Sequence, residues 1–203
     1  MTIFYLIRHG ETEHNANDNA YCGRTDVQLN NKGHRQSKML SEKLAGIDFS
    51  AFYASPLTRA KQTMSYLARD YSSDERLLEI DFGKWEGYTK EEINEKFSKN
   101  WNQWQTTEVG DVKAGEHGET MLEAYVRIKL LIDELSTEYP QSNVMIVAHN
   151  TIIRLLLTGL FEAKWSKYRS FKCGNTSVAV LKTEANGFEL LKINDDGHLL
   201  EKD

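Results

Sequence analysis

Runs of apolar residues alternate along this chain with segments whose apolar positions recur every three or four residues. Thr2 to Ile7 is a continuous apolar and aromatic run that stops at Arg8-His9-Gly10, the pattern of a strand covered on both faces of a parallel sheet. From Asn30, the positions of Met39, Leu40 and Leu44 predict a helix closing near Gly46, and Ala51 to Ala54 predicts a short strand. Ser55-Pro56 reads as an N-cap followed by proline at the first helical position, which would open a helix reaching about Tyr66 with Arg59 in its first turn. Leu77-Leu78 predicts another brief strand, Glu79 to Gly87 an acidic, aromatic loop, and Lys90 to Trp104 a polar helical insert. Met121, Leu122, Tyr125, Ile128, Leu131, Ile132 and Leu135 mark one stripe of a long helix that Tyr139-Pro140 stops. Val144 to Val147 is a second fully apolar strand, ending at Ala148-His149-Asn150, and Thr151 to Phe161 turns helical. Ser177 to Lys182 and Phe188 to Asn194 flank Ala185-Asn186-Gly187, a hairpin signal.

This order predicts an α/β fold: a three-layer sandwich with a mostly parallel six-stranded sheet, one antiparallel strand, and helices on both faces. The expected organisation is one domain over residues 1–203 with a small helical insert at about 88–117. In such sheets ligands bind beyond the carboxyl ends of the strands, where Arg8-His9 and His149-Asn150 both fall.

Charge narrows the candidate chemistry. With 25 basic against 30 acidic side chains the chain is acidic, which argues against a nucleic-acid partner and makes any anion site small and focused. No apolar stretch is long enough to cross a membrane, and two separated cysteines suit a reducing compartment, so the cytoplasm is expected. Histidines at two strand ends, with arginines at strand and helix ends, describe a cationic pocket in an acidic protein. Planar guanidinium groups match phosphoryl oxygens with paired hydrogen bonds. The sequence lacks GxxxxGK[ST], GxGxxG and HExxH, so no nucleotide loop or metal-binding motif of those kinds serves the site.

LIRHGET at Leu6 to Thr12 resembles the signature of the histidine phosphatase superfamily, the phosphoglycerate-mutase-like proteins. The likeness continues in order through Asn15, CGRTD at Cys22 to Asp26, LxxxG at Leu29 to Gly33, SPLTRAKQT at Ser55 to Thr63, LLEIDFGKWEG at Leu77 to Gly87, VAHN at Val147 to Asn150 and NTSVAVL at Asn175 to Leu181. The resemblance implies that His9 is the nucleophile forming a phosphohistidine, that Arg8, Arg59 and His149 surround the transferred group, and that Glu79 is the general acid. Asp81 and Glu86 are rival carboxylates. Asn15 is implied as a phosphate or substrate donor, and Cys22 and Gly23 as part of the substrate rim. Two nearby arginines should keep His9 neutral, and positioning plus electrostatics can drive phosphoryl transfer without a metal ion, so neither metal nor cofactor is expected.

The chain departs from the family at Asn150, where glycine is usual. Asparagine tolerates positive φ, so the loop can survive while its side chain re-tunes the pocket. The mutases of the family grip a substrate carboxylate with a lysine and an arginine pair in a longer insert. Here Asn100 to Val112 reads NWNQWQTTEVGDV, which favours a phosphatase acting on small phosphate esters with neutral alcohol parts. The CGRTD and FGKWEG blocks resemble those of α-ribazole phosphatase and the broad-specificity bacterial phosphatases. A phosphoglycerate mutase and a non-catalytic phospholigand-binding module are the alternatives. Arg24 either reaches substrate or pairs with Asp26, Trp85 is expected in the pocket, Trp101 in packing, and Cys22 as a spectator thiol. The sequence carries no signal of oligomeric state.

Overall fold

A computed structural model describes residues 1–16 and 20–200. Among them, six strands form one sheet in the order β3-β2-β4-β1-β5-β6, with β1 Ile3–Arg8, β2 Ala51–Ala54, β3 Ser72–Ser73, β4 Asn143–Ala148, β5 Val178–Glu184 and β6 Gly187–Asp195. Pairing is parallel from β3 to β1, and β5 runs antiparallel to both neighbours, so it alone opposes the other five strands. The mostly parallel sheet with one antiparallel strand is therefore as expected.

Both faces of the sheet are covered, which is why the central strands read as unbroken apolar runs. Phe4, Leu6, Val144, Ile146 and Leu181 pack on one face against α6 (Met121–Glu138) and α7 (Asn150–Leu160). Ile7, Met145, Val147 and Val180 pack on the other against α2 (Asn31–Leu44) and α3 (Thr58–Met64). On α6 the buried stripe is Met121, Ala124, Ile128, Leu131, Ile132 and Leu135, whereas Leu122 is 42% exposed. Thr120 and Glu123 form a capping box that fixes where this helix starts.

Three local expectations change. The helix expected to begin at Ser55-Pro56 begins at Thr58, because Asp26 from a remote loop takes the Thr58 amide (2.7 Å) and hydroxyl (2.8 Å) and so supplies the cap. The strand expected at Leu77-Leu78 is instead Ser72–Ser73, paired to Tyr53 and Ala54, while Glu75–Leu77 is a 3-10 turn that buries Leu77. The insert is broken at Phe97 into α4 (Lys90–Lys96) and α5 (Ser98–Thr106). α5 delivers Trp101 and Trp104 to Trp85 at centroid distances of 5.2 and 5.6 Å, all three fully buried. The short helix α1 (Glu13–Ala16) follows the first strand-end loop.

Candidate functional site

The register of the sheet brings the two histidines together. Arg8 lies opposite Ala148 in the β1–β4 ladder, the His9 amide donates to the Ala148 carbonyl at 3.0 Å, and the next residue on each strand is a histidine. Neighbouring strands are about 4.8 Å apart, and the two rings accordingly sit with centroids 5.1 Å apart. Close packing of α2 shapes the turn after β1. A Cβ at Gly33 would lie 2.1 Å from the Glu11 carbonyl, so only glycine lets this helix approach.

The tautomers follow from the partners. His9 Nδ1 is 2.7 Å from the Gly10 carbonyl, which can only accept, so Nδ1 carries the proton and Nε2 the lone pair. Arg59 Nε can only donate and meets His149 Nδ1 at 3.2 Å, so His149 Nε2–H donates to Ser55 Oγ at 2.7 Å. Burial, then Arg59 and Arg8, hold the His9 pKa well below 6.5. Burial, then Arg59 and His9, do the same for His149. Both rings are therefore neutral near pH 7.

Arginines surround this pair. Arg59, in the first turn of α3 and 1% exposed, also donates to the Thr25 carbonyl at 2.9 Å and the Gly23 carbonyl at 2.7 Å. Arg8 donates to the Cys173 carbonyl at 2.9 Å, while its Nε is buried without a hydrogen-bond partner. Glu79 reaches the N-terminus of α7, where its oxygens accept from the Thr151 and Ile152 amides at 3.0 Å each and from the Ile80 amide at 2.9 Å. A carboxylate suits the positive end of a helix, and it supplies the cap that the His149 side chain does not. Three of its roughly four acceptor positions are filled, leaving room for one proton.

Arg8, His9, Arg59 and Glu79 open onto a cavity of about 370 Å³, which Asn15, Cys22, Gly23 and Asn150 also line. Asn15 Oδ1 accepts from the Thr12 hydroxyl and the Asn175 amide, at 3.2 and 3.1 Å. Burial pushes the Cys22 thiol up, so it is not a reactive thiolate, and its Sγ donates to the Thr25 carbonyl. His149 is fully buried beside His9 and forms no part of the cavity wall. The Asn150 backbone is in α7 without positive φ, so its tolerance of that conformation is not what admits it; its Oδ1 is buried without a hydrogen-bond partner.

Other expectations are corrected here. Trp85 packs in the aromatic core and does not reach the cavity, whose aromatic wall is Tyr21, Phe82 and Tyr168. Arg24 pairs with Glu119 at 3.4 Å, because Asp26 is engaged in capping α3. Of the rival carboxylates, Asp81 accepts from the Gly83 amide and Glu86 from the Arg24 and Thr25 amides; neither lines the cavity. Sequence reasoning also missed three cations in the wall, Lys90, Arg154 and Arg169. Arg154 carried a usable signal: it follows Asn150 by four residues, so both lie on one face of α7.

The model of the histidine phosphatase superfamily (branch 1) matches residues 4–196. Phosphoserine phosphatase 1 of Hydrogenobacter thermophilus is 30% identical over 205 residues, covering 99% of this chain and 96% of that protein. Phosphoserine phosphatase from Entamoeba histolytica, solved as a histidine-to-alanine variant in complex with phosphoserine, superposes with a TM-score of 0.91 at 30% identity, over 98% of this chain and 100% of that one. A putative alpha-ribazole-5'-P phosphatase from Escherichia coli shares the fold (TM-score 0.83, 24% identity, 96% and 97% coverage). With the family pattern spanning nearly every residue and the strand-end histidines side by side, the chain belongs to the histidine phosphatase superfamily, branch 1.

Proposed function

We propose that this protein is a phosphomonoesterase that works through a phosphohistidine on small-molecule phosphate esters. The observation that carries the reading is His9: a neutral ring, its proton fixed on Nδ1 by Gly10, facing a cationic cavity with the Nε2 lone pair unused. Nε2 attacks phosphorus, the P–O bond to the alcohol breaks, and the departing oxygen takes a proton from Glu79. Glu79, now ionised, accepts a proton from water; the water oxygen attacks phosphorus, the P–N bond breaks, and its electron pair returns to imidazole. Arg8 and Arg59 hold the phosphoryl oxygens, and the unpartnered Arg8 Nε gains an acceptor when substrate binds. His149, with both nitrogens engaged, positions Arg59. Asn15 donates to the phosphoryl group from its amide nitrogen, and Asn150 and the Cys22-Gly23 backbone form the substrate rim.

The wall cations favour a different alcohol from the neutral one that the insert suggested. Lys90 at the start of α4, Arg154 on α7, and Arg169, which donates to the Tyr21 hydroxyl at 2.9 Å, supply positive charge that the segment 100–112 does not. A phosphate ester whose alcohol carries a carboxylate fits this wall, and Glu91 on the same rim suits an ammonium group. Phosphoserine has all three charges and is the substrate named for the relatives above. α-Ribazole phosphate lacks the carboxylate and becomes the weaker candidate. A phosphoglycerate mutase is the competing reading, because the same cations suit a phosphoglycerate.

The test is phosphate release from phosphoserine, α-ribazole phosphate and p-nitrophenyl phosphate in the presence of chelator, by wild type and His9→Ala. Turnover of phosphoserine at least roughly tenfold faster in kcat/KM than α-ribazole phosphate, by wild type alone, supports the proposal, since a hydrogen bond to a charged group is worth about 1.5–3 kcal/mol. Isomerisation of 3-phosphoglycerate only after priming with a bisphosphoglycerate, with no phosphate released, would establish the mutase.

A further inference from the structure

Glu86 sits outside the cavity, yet its carboxylate grips the turn that holds Arg59. Residues 22–25 form a tight turn closed by the Thr25 amide on the Cys22 carbonyl at 3.0 Å. One face of that turn presents donors to Glu86: the Arg24 amide at 2.8 Å, the Thr25 amide at 3.0 Å and the Thr25 hydroxyl at 2.6 Å. The opposite face presents acceptors to Arg59, through the Gly23 and Thr25 carbonyls. A peptide unit polarised by an anion at its N–H is a better acceptor at its C=O, so the carboxylate and the guanidinium reinforce one another across the same backbone.

The local sequence is consistent with this. Gly23 has φ +50°, and a Cβ there would lie 1.9 Å from Glu86 Oε1, so the approach of Glu86 requires glycine on steric as well as conformational grounds. Glu86 is itself carried by Trp85, which is locked between Trp101 and Trp104, and the strand-like pairing of Tyr21 with Gly87 and Tyr88 fixes the segment on the other side. The carboxylate therefore projects from a rigid base.

We propose that Glu86 is a positioning residue for phosphoryl binding, acting through the Gly23–Thr25 turn to hold the Arg59 guanidinium against the cavity. The proposal rests on the phosphatase reading only for its consequence in turnover; the coupling of Glu86 to Arg59 is also read in anion binding alone. Without Glu86 the Arg24 amide and the Thr25 hydroxyl lose their acceptor and the Thr25 amide keeps only the Cys22 carbonyl, Arg59 loses its two fixed carbonyls, and the donors that face the phosphoryl oxygens lose their alignment.

The experiment is a double-mutant cycle on orthovanadate affinity, followed by tryptophan fluorescence, using wild type, Glu86→Ala, Arg59→Met and the double variant. Glu86→Ala should weaken vanadate binding about tenfold in the wild-type background and less than about twofold when Arg59 is already Met. Thr25→Val, which removes one hydroxyl bond and keeps the backbone, should show a smaller loss of the same sign and the same dependence on Arg59. It replaces Glu86→Ala if the latter does not fold. Equal losses in both backgrounds, or no loss in the first, would overturn the proposal. A merely structural Glu86 would lower the melting temperature alike in both backgrounds and leave the vanadate cycle additive. Wild type that binds vanadate with this coupling but hydrolyses no ester would instead sink the phosphatase reading and leave the positioning role standing.

Discussion

Acidification from pH 7.5 to 5.0 probes the buried histidines directly. His9 is 4% and His149 0% exposed, and both have pKa values well below 6.5, first through burial and then through neighbouring cations. The folded protein therefore binds fewer protons than the unfolded chain once pH falls below about 6.5. Unfolding takes protons up, so the contribution of each neutral ring is complete above the unfolded pKa and is lost as pH falls from there towards the folded one. The limiting slope is about 1.4 kcal/mol per pH unit for each histidine, and the loss at pH 5 is at most about 2 kcal/mol per ring. The assay is urea unfolding across this range for wild type and His9→Asn, in phosphate-free buffer so that no anion occupies the cavity. Contributions from His198 and from carboxylates are common to both proteins and cancel in the difference. Wild type should lose stability faster below pH 6.5, by up to about 1.4 kcal/mol per unit. Parallel curves would show that His9 titrates normally in the folded state and would remove the physical basis for its neutrality as a nucleophile.

Three further substitutions separate chemistry from packing. Glu79→Gln should slow the phosphorylation of His9 by phosphoserine by roughly 10²- to 10⁴-fold but spare the p-nitrophenol burst from p-nitrophenyl phosphate, whose leaving group departs without a proton, while steady-state turnover of both falls because water has lost its base; equal losses on both substrates in the pre-steady-state phase would refute the acid role. Trp85→Ala should cost about 3–5 kcal/mol in chemical denaturation and leave the ranking of substrates unchanged, because the ring packs on Trp101 and Trp104 and not on the cavity. Gly33→Ala should depress kcat/KM as well as the melting temperature, since its Cβ would press on the Glu11 backbone just after His9; a loss of stability with full activity in the surviving fraction would contradict this.

The parts of the fold legible in the sequence were those whose physics is local. β1 from Ile3 to Ile7 and β4 from Val144 to Ala148 are unbroken apolar runs because helices cover both faces, and α6 carries a stripe bounded by its own capping box and by Pro140. His9, Arg59 and His149 could be placed because they follow directly from strand ends and a helix start. What escaped was set by tertiary contact. Ser72–Ser73 is a strand only because β2 pairs with it, and α3 starts late because Asp26 arrives from 32 residues away to cap it. Lys90, Arg154 and Arg169 come from three separate segments, so the absence of cations between residues 100 and 112 gave the wrong picture of the cavity wall. Trp85 stands beside the family's acid block, but its side chain turns into the aromatic core.

The way the arginines are held explains how an acidic protein sustains a cationic cavity. Among the described residues, Arg24, Arg76 and Arg127, outside the cavity wall, are paired with Glu119, Asp74 and Glu134, carboxylates that offset their charge. The cavity arginines are instead fixed by neutral oxygens: Arg8 by the Cys173 carbonyl, Arg59 by those of Gly23 and Thr25, Arg154 by that of Phe171, and Arg169 by the Tyr21 hydroxyl. A carbonyl dipole orients a guanidinium without neutralising it, so the full charge remains for a phosphoryl group. After burial, the same uncompensated charge of Arg59 and Arg8 disfavours protonation of His9. Glu79, the carboxylate closest to this cluster in role, is tied to the amides of α7 and to Ile80 and makes no ion pair with any of the four arginines. Its hydrogen bonds thus leave the guanidinium groups available, and the positive field of the cavity is preserved while a carboxyl group stands on the same wall.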